Sequence, residues 1–280
     1  MADLFPRGKD VPSQSPLFWV NQKDRYLRQL LISDIEAETQ RELIVYFTDC
    51  DRSTASIDQT DDIYLSELLT ATKTKTVDLL LETNGGFTDA TEKVCAILRN
   101  AGLDLRVIVP RRAKSNGTVI AFCGSTILMG PESELGPVDP ALDNIPADFV
   151  IKAGPSLNNP LLVEAAKSVV SQTRRLASYL LGSGMLQGIP DTDMTTLLDK
   201  LATRNQYHSH GAVIDHNEAA ALGLKVTSYA ATDALWKKIW LLRTMYSFDC
   251  QQRGYSKIFE SRSISSPVAL APQAPQPNRL

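Results

Sequence analysis

VDLLLETNGGFTDATEKVCAILRNAGLDLRVIVPRRAKSNGTVIAFCGSTILMGPESELGPVDP, running from Val77 to Pro140, is the stretch on which the reading of this chain turns. It opens with an apolar run, Val77 to Leu81, of the length of a buried strand. Asn84-Gly85-Gly86 follows, a turn whose glycines accept positive φ. A helical pattern begins near Asp89 and carries Val94, Ile97 and Leu98 on one face, and Asn100 and Gly102 end it as helix C-termini commonly end. Leu105 to Val109 reads as a second buried strand, stopped by Pro110. Lys114-Ser115-Asn116-Gly117-Thr118 is a second turn of mostly small residues. It leads into the apolar segment Val119 to Cys123 and a short strand, Thr126 to Met129. Strand, glycine turn, helix, strand, serine turn, helix, strand is the alternation of an α/β fold with a parallel sheet.

In such a sheet the turns that leave the strand ends lie side by side, and sites gather there. One turn here offers glycine N–H groups. The other offers a hydroxyl followed by a backbone N–H. Together they hold what acyl transfer requires, a nucleophile and two donors for an oxyanion. Pattern alone leaves open the plainer reading, in which both turns only connect elements.

The pieces VDLLLETNGG, VIVPRRAKSNGT, ILMGPESELGPVDP, NIPADFVIKA and HSHGAVIDHNEAAALGLKV, in this order, resemble the serine dehydrogenase proteinase family. That family is a branch of the signal peptide peptidase and Clp protease–crotonase superfamily. The resemblance runs from about Tyr26 to Val226. It implies an α/β, Clp protease/crotonase-like spiral of ββα units, here with a C-terminal helical appendage. It also implies a serine-type peptidase that cleaves peptide bonds through an acyl-enzyme on Ser115. Backbone N–H groups of Gly86 and Asn116, beside Gly85 and Gly117, would bind the oxyanion and substrate. Two positions depart from the family: Asn84 stands where proline is usual before the Gly-Gly pair, and Asn116 where alanine is usual after the serine.

The general base is less determined. Clp-type relatives place a histidine near the position of Asp139, so a triad of that type is not expected. Signal peptide peptidases pair serine with lysine, and such a lysine must be desolvated to lose its proton near neutral pH. Lys167 lies in the helical pattern Leu161 to Leu181, at a spacing from the serine similar to that pair, and is expected on its buried side. Lys152, in VIKAG, is the second candidate. His210, in the segment before a small helix begun by Asp215, is the third. Lys114 adjoins the serine and is expected to point away. His208, His210 and His216, in HSHGAVIDH, could suggest a metal, but no cysteine or acidic ligand cluster accompanies them, so no metal site is expected.

Composition narrows the partners. A net charge of -3, from 29 basic and 32 acidic residues, gives no field for nucleic acid. Cys50, Cys95, Cys123 and Cys250 are widely spaced without a metal or CxxC pattern, which fits a reducing cytoplasm. No signal peptide, membrane span, GxGxxG or phosphate-binding loop is legible, so no cofactor and no membrane are expected. Peptide or protein is the expected substrate. A homo-oligomer is expected, and a regulatory partner protein is admitted. Two other readings use the same fold: a crotonase-type acyl-CoA enzyme, and a catalytically inactive assembly module.

The expected organisation is a disordered arm over residues 1–16, a peptidase domain over 17–230, a C-terminal helix within 231–260 that is read over Asp233 to Phe248 with Thr232 as its cap and, being apolar on more than one side, is a possible oligomer contact, and a disordered proline-rich tail over 261–280. Within the domain, Leu31 to Glu36 and Glu42 to Phe47 read as a strand pair.

Overall fold

The computed structural model describes residues 15–270 apart from Ser53 and Asn144. Most of the expected arm and the last ten residues of the expected tail lie outside that range. The chain begins with helices α1 (Pro16–Asn21) and α2 (Lys23–Thr39). Strand β1 (Glu42–Thr48), α3 (Asp61–Ala71), β2 (Thr76–Glu82), α4 (Thr88–Asn100) and β3 (Asp104–Val109) follow. Then come β4 (Arg112–Ala113), α5 (Asn116–Ala121), β5 (Ile127–Met129), β6 (Glu134–Leu135) and a small hairpin of β7 (Ala141–Leu142) and β8 (Ile145–Pro146). Helices α6 (Ala147–Ala153), α7 (Pro160–Gly182), α8 (Asp191–Leu201) and α9 (His216–Ala221) lead to β9 (Val226–Ser228). The chain closes with α10 (Ala234–Arg253), β10 (Tyr255–Ser261) and β11 (Ser265–Ala269).

Among the described residues the main sheet has seven strands in the order β11-β10-β1-β2-β3-β5-β9. The run from β1 to β9 is parallel, and β10 and β11 join it antiparallel. Alternating residues divide between two apolar layers, as the pleat requires. Ile44, Tyr46, Leu79, Leu81, Val107 and Val109 face α3, α4, α5 and the C-terminal half of α7. Leu43, Val45, Phe47, Leu80, Ile108 and Leu128 face Ile32 and Ile35 of α2 and Trp236, Ile239, Leu242 and Tyr246 of α10. A sheet buried on both faces explains why β1, β2 and β3 read as mainly apolar runs, broken only inside β2 by Asp78 and inside β3 by Arg106, which pair at 2.7 Å.

Three expectations are corrected here. Leu31 to Glu36 is not a strand but the second half of α2. The helix expected over Asp233 to Phe248 runs from Ala234 to Arg253, is capped by Asp233 rather than Thr232, and spends its Trp236–Ile239–Leu242–Tyr246 face on its own sheet. Leu241 and Phe248, on the other side of the helix, stay exposed. The tail is ordered past residue 261, because Ser265–Ala269 forms the edge strand and Pro267 sits where an edge tolerates a missing donor.

Buried charge hid the C-terminal strands from a hydropathy reading. Lys257 of β10 pairs with Asp61, at 2.6 Å, and with Asp58. Glu260 accepts both guanidinium contacts of Arg28 at 2.8 Å and the Tyr246 hydroxyl at 2.6 Å. Lys257, Asp61, Arg28 and Glu260 are buried but paired, which is the condition for placing a charge in a core.

Candidate active site

The site grows from the carboxyl end of β2. The Thr83 N–H donates to the Arg112 carbonyl at 2.9 Å, and the Lys114 N–H donates to the Thr83 carbonyl at 3.0 Å. This extension of the parallel pairing brings the turn at residues 84–86 against residues 114–116. Contact is close enough to demand glycine. A Cβ on Gly85 would stand 2.9 Å from the Ser115 Cβ, 3.0 Å from the Lys114 carbonyl oxygen and 3.2 Å from the Asn116 nitrogen. Gly85 also has φ +99°, which side-chain-bearing residues avoid.

Ser115 precedes α5 with φ 52° and ψ −122°, in a region that L-residues rarely occupy. Its side chain makes no capping bond to the helix, and its hydroxyl makes no hydrogen bond to any described residue. The Lys114 and Ser115 carbonyls accept from Gly117 and Thr118 at 2.7 and 2.9 Å, fixing the peptide on each side of the serine. Gly117 is required by packing, since a Cβ there would lie 2.5 Å from Thr83 Cγ2.

The facing turn is held from its far side by Ile57. The Ile57 N–H donates to the Gly85 carbonyl at 2.9 Å, and the Phe87 N–H donates to the Ile57 carbonyl at 3.0 Å. This pairing leaves the Gly86 N–H out, and among the described residues neither it nor the Asn116 N–H has an acceptor. Two free donors and a free hydroxyl thus lie on adjoining turns.

Thr118 joins the next loop to the site. Its hydroxyl donates to the Ala113 carbonyl at 2.6 Å and accepts the Gly136 N–H at 3.0 Å. Three residues on, Asp139 is 1% exposed. It meets His210 Nδ1 at 2.8 Å through Oδ1 and Arg204 Nε at 2.6 Å through Oδ2. Lys114 turns its ammonium away from the serine, to Glu134 at 2.9 Å and the Ala212 carbonyl at 2.8 Å. The residue before Ser115 therefore clamps the loop that carries His210.

The two lysine candidates lie elsewhere. Lys167 is on the exposed side of α7, its side chain 54% exposed and paired with Glu164 at 2.7 Å. The expected buried position is thus corrected. The apolar side of that helix is carried by Ala166, Thr173, Leu176, Ala177 and Leu180, which are out of phase with Lys167. Lys152 is 53% exposed and held by Asp148 at 2.6 Å and Asn205 Oδ1 at 3.0 Å. Each ammonium lies at the surface beside a carboxylate, the opposite of the desolvated setting expected of a lysine base. The remaining histidines have separate places: the His208 ring meets the Arg204 carbonyl at 3.1 Å, and His216 opens α9.

Sequence reading found the serine and glycine turns and missed the partnership of Asp139 with His210 and Arg204. Asp139 was noted only as a missing histidine. The signal was a buried-type loop, LGPVDP, containing a carboxylate that needs a partner.

A parallel α/β sheet with a hydroxyl and two free N–H donors at adjoining strand ends is the scaffold of hydrolases that act through a serine nucleophile. The chain belongs to the family of ClpP-like SDH-type serine proteinases, whose sequence model matches residues 41–258. It is 29% identical over 206 residues to an uncharacterized protein of Methanocaldococcus jannaschii, covering 71% of this chain and 68% of the other. A second uncharacterized protein of that organism is 30% identical over 111 residues, 38% of each chain. Among solved structures, ClpP1 from Listeria monocytogenes aligns with a TM-score of 0.42 at 14% identity, over 72% of this chain and 96% of that one. A mutant of the 1510-N membrane-bound stomatin-specific protease aligns with a TM-score of 0.43 at 18% identity, over 65% and 79%. Among the described residues of this chain, no helix is long and apolar enough to cross a membrane.

Proposed function

We propose that this chain is a peptidase that hydrolyses peptide bonds through an acyl-enzyme on Ser115. The observation that carries the reading is the backbone of Ser115 itself. A serine held at φ 52° with a hydroxyl that no described residue engages is strain without a structural return. Such strain gathers where chemistry uses it. In the proposed reaction the Ser115 oxygen attacks the scissile carbonyl, and the carbonyl oxygen takes its negative charge between the N–H groups of Gly86 and Asn116. Those donors are fixed before substrate arrives, so their alignment costs nothing during reaction.

His210 serves as the base in this reading, in place of Lys167 or Lys152. A carboxylate only accepts hydrogen bonds, so the Asp139 contact puts the proton of a neutral ring on Nδ1 and leaves Nε2 as the acceptor. Nε2 would take the serine proton and return it to the leaving amine. The pair is assembled from Asp139 and His210, with the histidine on the later loop. Catalytic contacts often tighten only when substrate binds. A crotonase-type reaction would leave both the serine and the histidine idle.

The test is labelling with a fluorophosphonate probe followed by peptide hydrolysis assays. Wild type should label, Ser115→Ala should not, and both should unfold as intact proteins. Labelling that survives Ser115→Ala would overturn the reading.

A further inference from the structure

One of the two turns of this site is a pair of consecutive glycines, the backbone with the fewest steric limits. A donor in such a segment stabilises an oxyanion only if its peptide plane cannot turn. Two planes flank Gly86. The first, between Gly85 and Gly86, is fixed by the Ile57 N–H on the Gly85 carbonyl at 2.9 Å. The second, between Gly86 and Phe87, is fixed by the Phe87 N–H on Ile57, and from the opposite side by a side chain. That side chain is Asn116, whose Nδ2 donates to the Gly86 carbonyl at 2.7 Å and to Thr88 Oγ1 at 3.2 Å. Asn116 is only 7% exposed. A second asparagine ties the start of the turn, with Asn84 Nδ2 on the Cys50 carbonyl at 2.7 Å.

We infer that Asn116 is a positioning residue with two functions joined in one amino acid: its backbone N–H is one oxyanion donor, and its side chain ties the carbonyl of Gly86, so that the residue carrying the other donor is held on the side of its Cα that Ile57 does not reach through the Gly85 carbonyl. The inference rests on the proposed role of Ser115. The two donors belong to turns far apart in the chain, and the backbone pairing of Thr83 with Ala113 that joins those turns stops short of both donors. The Asn116 side chain spans the gap between them and gives both donors one frame. Asn84 holds the same turn from the side away from the serine, so loss of both ties should be felt more than loss of either.

The test separates first-order phosphonylation from reversible probe binding in the full-length protein. Asn116→Ala keeps both N–H donors and removes only the tie. The maximal phosphonylation rate should fall about 10- to 100-fold, less than or comparable to the loss of a whole donor. The half-saturating probe concentration should hold, because the ground state does not use the oxyanion donors. Asn84→Ala together with Asn116→Ala should fall further. Thr88→Val keeps the Gly86 tie and should label like wild type. If Asn116→Ala fails to fold, Asn116→Asp keeps the shape without the donor and should show the same loss or a larger one. An Asn116→Ala variant that labels at the wild-type rate, or a Thr88→Val variant that loses as much, overturns the inference while leaving Ser115 as nucleophile intact. Wild type that does not label overturns the underlying reading instead.

Discussion

Replacing Ser115 by glycine should abolish labelling and yet not weaken the fold. A side-chain-bearing residue forced into a sparse backbone region costs on the order of 1–3 kcal/mol, and Ser115 sits at φ 52°, ψ −122°. Glycine relieves that cost. Against it stands the extra freedom of a glycine in the unfolded chain, about 0.4–1 kcal/mol relative to alanine. Nothing else is lost, because the side chain makes no capping bond and its hydroxyl engages no described residue. Ser115→Ala keeps the strain and is the proper reference. Ser115→Gly should therefore match or exceed Ser115→Ala, by about 1 kcal/mol in the middle of the range, or a few degrees in Tm for a chain of this size. Urea and thermal unfolding of the two variants read the difference. At an unstrained position the order reverses. A Ser115→Gly variant less stable than Ser115→Ala by about 0.5 kcal/mol or more would show that this backbone carries no strain, and would remove the main support for the nucleophile.

Other outcomes follow from the same geometry. Gly86→Ala should cripple labelling, because its Cβ would lie 2.3 Å from the Ile57 carbonyl oxygen and 2.4 Å from the Ile57 nitrogen, forcing the turn open; losing one donor costs about a hundred- to a thousandfold in rate. His210→Ala should slow phosphonylation by about 10²- to 10⁴-fold, whereas Lys167→Met and Lys152→Met should leave it unchanged; the reverse order would return the base to a lysine. Arg243→Met should destabilise by about 3–5 kcal/mol, because it strands the buried carboxylate of Glu82, which Arg243 holds at 2.6 Å, and urea unfolding should show part of that loss restored by adding Glu82→Gln. Burial pushes the Cys50 and Cys250 thiols up to about 12 from an ordinary value of 9.0. Their raised folded values mean that the stability they contribute is complete below pH 9 and drains away between pH 9 and 12, at about 1.4 kcal/mol per unit per thiol. Both should also resist a thiol reagent at pH 8 until the protein unfolds.

The parallel half of the fold was legible because its strands are buried on both faces and its turns are marked by glycine. Leu79 and Leu80 face opposite layers, yet both needed to be apolar. The antiparallel half was not legible. Lys257 and Glu260 interrupt β10 with charges whose partners, Asp61 and Arg28, lie roughly two hundred residues away, and local pattern contains no trace of such pairing. The same partners disguised α2, where Arg28 and Gln29 occupy buried positions of the helix face. At the site, Ser115, Gly85, Gly86, Asn116 and Gly117 were found together because they are local turn residues. Lys167 was expected on the buried side because helical spacing placed it near an apolar stripe without fixing its phase, and Glu164 captured it at the surface. The link from Asp139 to His210 spans 71 residues, and only the folded loops reveal it.

The central claim, a serine nucleophile aimed between two prearranged donors, is tested most directly by a crystal structure of the fluorophosphonate-treated protein. The account predicts phosphorus bonded to Ser115 Oγ, with the phosphoryl oxygen about 2.7–3.1 Å from the backbone nitrogens of both Gly86 and Asn116. An adduct on another residue, or a phosphoryl oxygen that contacts neither nitrogen, would contradict it.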